Sequence, residues 1–204
     1  MHVAVIDIGK PDKNLGWAIR GPHITDQGGD LDRCVTSLLA ALREGPLALG
    51  FEAPLFVPMR HIASELTKAR IGECENGVNR PFSAGAGASV LVTGLVVIPY
   101  VLTKIREGAP CVEATLDWQT RLSQNSLLLF EAFVSNQRAK GPERHIEDAN
   151  LAIAAFQQRV LDLANFENTV DAPTRFNLLG AMLLRTGWTQ DLAMLERSCL
   201  VVKV

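Results

Sequence analysis

Val3-Ala-Val-Ile-Asp-Ile-Gly9 is the stretch whose reading decides the fold. It is a run of β-forming apolar residues that carries one carboxylate near its end. Lys10-Pro-Asp-Lys-Asn14 follows as a polar turn, and Leu15-Gly-Trp-Ala-Ile-Arg20 folds back as a second strand. An unpaired charge inside a buried strand is costly. Asp7 is therefore expected at the strand's exit, within reach of water, a metal ion or a phosphate.

Working outward, His23–Gly29 holds a short third strand. Asp30 to Glu44 then reads as a helix, with Leu31, Val35, Leu38, Leu39 and Leu42 at helical spacing and Asp30 as its N-cap. Leu47-Ala-Leu-Gly-Phe-Glu52 repeats the opening pattern, an apolar strand ending on an acid. Alternation puts Ala48, Gly50 and Glu52 on one face, so the acid's side is lined by small residues.

Residues 55–110 read as an inserted, mostly helical region of a single domain spanning 1–204. It contains a helix from His61 to about Ile71, a Gly-rich passage at Ser83–Ser89, and a helix from Ser89 to about Glu107 kinked near Pro99. The β-branched content of that last stretch also admits a strand. The Gly-rich passage lacks the G-x-x-x-x-G-K-[ST] order of a phosphate loop. Cys111–Leu116 is a strand or an extended segment, and Ser126–Val134 a central strand interrupted by Glu131. His145–Ala164 is a strong helix with an Ala149, Ala152, Ile153, Phe156, Val160 stripe. A helix from Thr174 to Arg185 with Asp171 near its N-cap, a short helix Asp191–Arg197 and an edge strand Cys199–Val204 complete the chain. Strands and helices in this order give an α/β fold with a mixed sheet.

The 204 residues are 48% hydrophobic and 21% charged, the composition of a compact globular chain. A net charge of −2 exerts no global pull on nucleic acid, so nucleic-acid binding needs a local basic patch. Cys34, Cys74, Cys111 and Cys199 form no C-x-x-C pair and read as reduced, mostly buried thiols of a cytoplasmic protein. Met1 leads straight into a strand, which leaves no room for a targeting peptide. The most hydrophobic run, Val90–Leu102, is shorter than the roughly 18 residues of a membrane span and reads as a core element.

The acids Asp7, Glu52 and Asp148 form the candidate constellation. Two end strands that can be neighbours; the third lies in the first turn of a helix whose Ala149, Ala152 and Ala155 permit close approach to the sheet. Converging carboxylates repel, and Mg²⁺ or Mn²⁺ relieves that repulsion. A pair of such ions supports phosphodiester hydrolysis. Each acid also has a plain alternative: a turn partner for Asp7 and Glu52, a helix-dipole partner for Asp148. Glu131 is a fourth ligand or, preferably, an arginine's partner. His145 is a water-positioning group or, preferably, a surface or capping residue. Arg138, Lys140 and Arg144 meet a phosphate backbone or form an ordinary solvated connector. Arg60, Lys68, Arg70 and Arg80 are candidates for a second basic surface.

Val-Ile-Asp-Ile-Gly, the Gly16-Trp17 hairpin and Gly-Phe-Glu-Ala-Pro-Leu resemble bacterial proteins predicted to be nucleases of the RNase H-like fold. His145-Ile-Glu-Asp-Ala-Asn-Leu-Ala152 and Asn177-Leu-Leu-Gly-Ala-Met-Leu-Leu184 resemble the same group. The resemblance implies a three-layer fold with a five-stranded mixed sheet, strands one to three antiparallel, flanked by helices. It further implies metal ligands at Asp7, Glu52 and an acid on a late helix, where Asp148-Ala149 fits and Asn177 is a poor substitute. A metal-dependent nuclease acting on nucleic acid is the leading expectation. A non-catalytic binding or scaffold protein and an actin-like phosphotransferase are the alternatives, the latter requiring two such domains.

Overall fold

The structure is a computed structural model that describes residues 1–11, 13–74, 81–134, 143–159 and 166–204. β1 (His2–Asp7) is buried along its whole length. It pairs antiparallel with β2 (Gly16–Arg20), which pairs antiparallel with β3 (Thr25–Gly28). α1 (Leu31–Glu44) follows, its N-cap Asp30 accepting a hydrogen bond from the Arg33 amide, and stops at Gly45. β4 (Leu47–Glu52) returns parallel to β1, and β7 (Ser126–Phe133) lies parallel to β4. β5 (Phe56–Pro58), α2 (Gly85–Gly108) and β6 (Glu113–Thr115) separate those two strands.

Beyond β7 come α3 (Arg144–Arg159), β8 (Arg175–Asn177), α4 (Leu178–Arg185) and β9 (Leu200–Lys203). The main sheet runs β3-β2-β1-β4-β7-β6, with β9 also on β7. Among the described residues it therefore has seven strands, not the five expected. β6 occupies the first half of β7's outer edge, and β9 the second half. β5 and β8 form a separate two-stranded pair.

Alternation along the strands divides the core between the two faces. Ala4, Ile6, Leu47, Leu49 and Phe51 pack with α1, α2 and α4. Val3, Val5, Ala48, Leu128 and Phe130 pack with α3. The result is an α/β arrangement with helices on both faces of a mixed sheet and four α-helices among the described residues.

Several expectations change. The segment 61–71 forms only a short 3-10 turn, Ala63–Glu65, where a helix was expected. Ile62 and Leu66 are exposed, so a helix there has no apolar stripe to bury. Arg60 instead donates to the Glu65 and Ala69 carbonyls. The helix expected from Thr174 begins only at Leu178, because Arg175–Asn177 pairs with β5 and Asn177 caps the helix by accepting from the Gly180 amide. Asp171 is not in that cap; it pairs with Arg175 at 2.9 Å and bridges Ile71 through the backbone. Asp191–Arg197 holds a 3-10 turn, Leu192–Leu195. Val160 and Ala164, expected in α3, lie outside the described residues.

α2 contains Pro99 and is 24 residues long, well beyond the 13-residue run singled out in the sequence. By length and composition it is the one described helix that could cross a membrane. In the fold one side of it, Val97, Ile98, Val101, Leu102 and Ile105, is part of the core. Cys34 and Cys199 are buried, whereas Cys74 and Cys111 are exposed, against the expectation of mostly buried thiols.

Candidate metal centre

Parallel pairing sets Asp7 directly beside Glu52 at the C-terminal ends of β1 and β4. Both side chains fall on the α3 face by the alternation that buries Val5 and Ala48 there. α3 supplies the third carboxylate. Asp148 lies one position beyond the helix's first turn, since α3 begins at Arg144; this corrects its expected place within that turn. Ala149, Ala152 and Ala155 are all buried, so the helix backbone rides close to the sheet.

Two glycines make the approach possible. Gly16 faces Asp7 across the β1/β2 pair. A Cβ at Gly16 would come 2.4 Å from the His145 carbonyl carbon and 2.6 Å from the Ile146 nitrogen, so only glycine admits the start of α3 here. At Gly50 a Cβ would meet the Phe130 ring at 2.4 Å. That ring stacks on Phe156 of α3 at a centroid distance of 4.7 Å.

The outcome is that one oxygen each from Asp7, Glu52 and Asp148 lies within 4.8 Å of the others. Asp7 is only 6% exposed. Burial pushes its carboxyl from an ordinary 3.8 up to about 6, opposed by His145 and Arg144 and reinforced by the charge on Asp148. His145 Nδ1 stands 2.6 Å from Asp7 Oδ2. An ionised carboxylate only accepts, so in that state the ring donates through Nδ1. Arg144 Nε lies 3.5 Å from Asp148 Oδ2, an ion-pair distance too long for a good hydrogen bond.

His145 thus touches the site directly and is not the surface or capping residue the sequence suggested. The available signal was its position three residues before Asp148, which places both on one helix face. The importance of Gly16 to α3 had no local signal, because the clash it avoids involves residues far along the chain.

Glu131 faces the other way. Its parity with Leu127 and Leu129 turns it to the α1/α2/α4 face, where Arg70 grips it twice, at 2.7 and 2.8 Å. It also accepts from the Leu55 amide at 2.8 Å. Arg70 bonds Glu73 at 3.1 Å and lies over the Phe56 ring, 4.5 Å from its centroid. Burial lowers the affinity of the Arg70 guanidinium for its proton, but the two carboxylates more than offset this and hold it above its ordinary value. Burial also raises Glu73, against the pull of Arg70.

The second basic surface does not form from its described members. Arg70 is buried, Arg60 is turned onto carbonyls, and Lys68 pairs with Glu65. Arg80, Arg138 and Lys140 lie outside the described residues. Asn177 is buried as a cap, with its amide donating to the Arg197 carbonyl, and takes no part in the carboxylate cluster. No protein-family model, curated protein or solved structure matches this chain.

Proposed function

We propose that this protein is a metal-dependent nuclease, hydrolysing phosphodiesters with Mg²⁺ or Mn²⁺ held by Asp7, Glu52 and Asp148. One observation carries the reading: three carboxylates from two adjacent strand ends and one helix bring oxygens within 4.8 Å of each other. The donor set fits a hard divalent cation, being all oxygen and all carboxylate. The raised affinity of Asp7 for its proton comes first from burial, with the charge on Asp148 adding to it, and a bound cation would offset both.

When bound, a pair of such ions activates water and stabilises the leaving oxygen. The chain's own residues have separate tasks. Asp7 surrenders its proton and keeps its carboxylate aimed by His145. Arg144 moderates the charge on Asp148. The antiparallel β1–β3 meander, the parallel β4 and β7, and helices on both faces support an RNase H-like assignment, with β6 and β9 as additions.

Calorimetric titration with Mn²⁺ at pH 8, beside cleavage assays on DNA and RNA panels, tests the proposal. Wild-type protein is expected to bind Mn²⁺ and cleave, and Asp7→Asn to bind about tenfold or more weakly, a loss of at least about 1.4 kcal/mol. Equal Mn²⁺ affinity in the two proteins overturns the metal site. Binding without cleavage of any nucleic acid leaves a metal-binding module of the same fold in place of a nuclease.

A further inference from the structure

α2 carries no charged side chain from Gly85 to Thr103. Its inner side belongs to the core, yet Val92 is 63% exposed, Leu95 45%, Val96 72% and Tyr100 39%. Val92, Val96 and Tyr100 recur every four residues and so share one face. Beside Val96 and Tyr100 opens a groove of about 820 Å³ at the β1–β2 turn, between the start of α1 and the start of α3. Leu15, Leu31, Val97 and Ile146 add to its apolar lining.

Among the described residues, the charged groups that line the groove are Asp30, Asp32 and Glu143 against Lys13, all four exposed. Asp32 accepts from the Tyr100 hydroxyl at 2.7 Å, and Asp30 from the Arg33 amide at 2.6 Å. Both donors are neutral, so the negative charges stay at the rim. A phosphate backbone or an anionic lipid surface meets repulsion there.

We propose that this groove docks a basic amphipathic segment of a partner protein. An amphipathic helix lays apolar side chains into such a groove. Lysines or arginines flanking those side chains then meet Asp30, Asp32 and Glu143, and complementary charge selects the partner and speeds its encounter. The proposal goes beyond the metal reading and does not depend on it.

Fluorescence anisotropy on the full chain, in EDTA, tests it. The probe is a labelled Lys/Leu amphipathic peptide of about 14 residues, roughly 20 Å long as a helix. A Glu/Leu peptide of the same pattern, a single-stranded oligonucleotide and phosphatidylcholine/phosphatidylserine vesicles serve as comparisons. The Lys/Leu peptide is expected to bind at least about tenfold tighter than the Glu/Leu peptide. Val96→Ser and Glu143→Lys, both at exposed positions, are expected to weaken it several-fold each. Glu107→Lys, at the far end of α2, changes nothing. Equal weakening by Glu107→Lys, or none by Val96→Ser, overturns the proposal. So does Val96-dependent binding of the oligonucleotide or the vesicles. Sedimentation showing a wild-type dimer that Val96→Ser dissociates also overturns it, assigning the face to a second copy.

Discussion

Replacing Asp7 by asparagine removes a charge that the fold buries at a cost, and the cost has a pH signature. Asp7 is 6% exposed, and its carboxyl is raised from 3.8 to about 6, first by burial. A carboxyl that binds its proton more tightly when folded contributes stability that is fully present below its unfolded value. That contribution is lost as pH rises through the folded value. The window is therefore pH 3.8 to about 6. A rise of about two pH units corresponds to about 3 kcal/mol.

Wild-type protein in EDTA is thus expected to lose up to about 3 kcal/mol across that window on account of Asp7 alone. Asp7→Asn does not titrate there. Urea unfolding of both proteins at pH 4 and pH 7.5 is expected to shift their stability difference towards the variant by about 2–3 kcal/mol. Mn²⁺ at 100 times its dissociation constant then restores about 2.7 kcal/mol to the wild type and little to the variant. A stability difference that stays flat with pH refutes the argument that burial dominates at Asp7.

Other consequences follow from the same contacts. Because binding displaces the Asp7 proton, Mn²⁺ affinity is expected to fall about tenfold per pH unit below about pH 6, read by calorimetry at pH 5 and 7. Gly16→Ala forces a methyl group into the backbone of α3 and is expected to cost about 1–3 kcal/mol, with a drop in Mn²⁺ affinity because α3 carries Asp148. A Gly16→Ala protein with unchanged thermal stability and Mn²⁺ titration contradicts the close approach at His145. Arg70→Met strands Glu73 and Glu131 in the interior and is expected to cost about 3–5 kcal/mol in urea unfolding. Adding Glu131→Gln should recover part of that loss, since one buried charge is gone; a purely additive double variant speaks against the direct pair.

The strand-end acids were legible because an apolar run has no partner for a charge inside it. Asp7 and Glu52 each close such a run, and Asp30 announces α1 by the chemistry of a cap. The same logic marked Glu131 as needing a partner but did not identify Arg70, which is distant in the chain and reaches it only through the folded 55–74 segment. Where a long-range contact competes with local propensity, the local pattern misled. His61–Ile71 looks helical, yet its apolar residues face outward, and Arg175–Asn177 joins β5 before α4 begins.

What this sequence determined by itself is the set of local elements whose period matches one buried face: β1, β2, β4, β7, α1 and the described part of α3. Alternation also set Glu52 on the Ala48/Gly50 face of its own strand; that Asp7 lies on the same side follows from the parallel register of β1 and β4. Only the tertiary structure decided which strands are neighbours, that β6 and β9 share one edge of β7, and that α3 sits on Gly16 with His145 against Asp7. Those outcomes depend on pairings between residues far apart in the chain. The free energy of such pairings comes from shared burial and hydrogen bonding, which no short window of sequence contains.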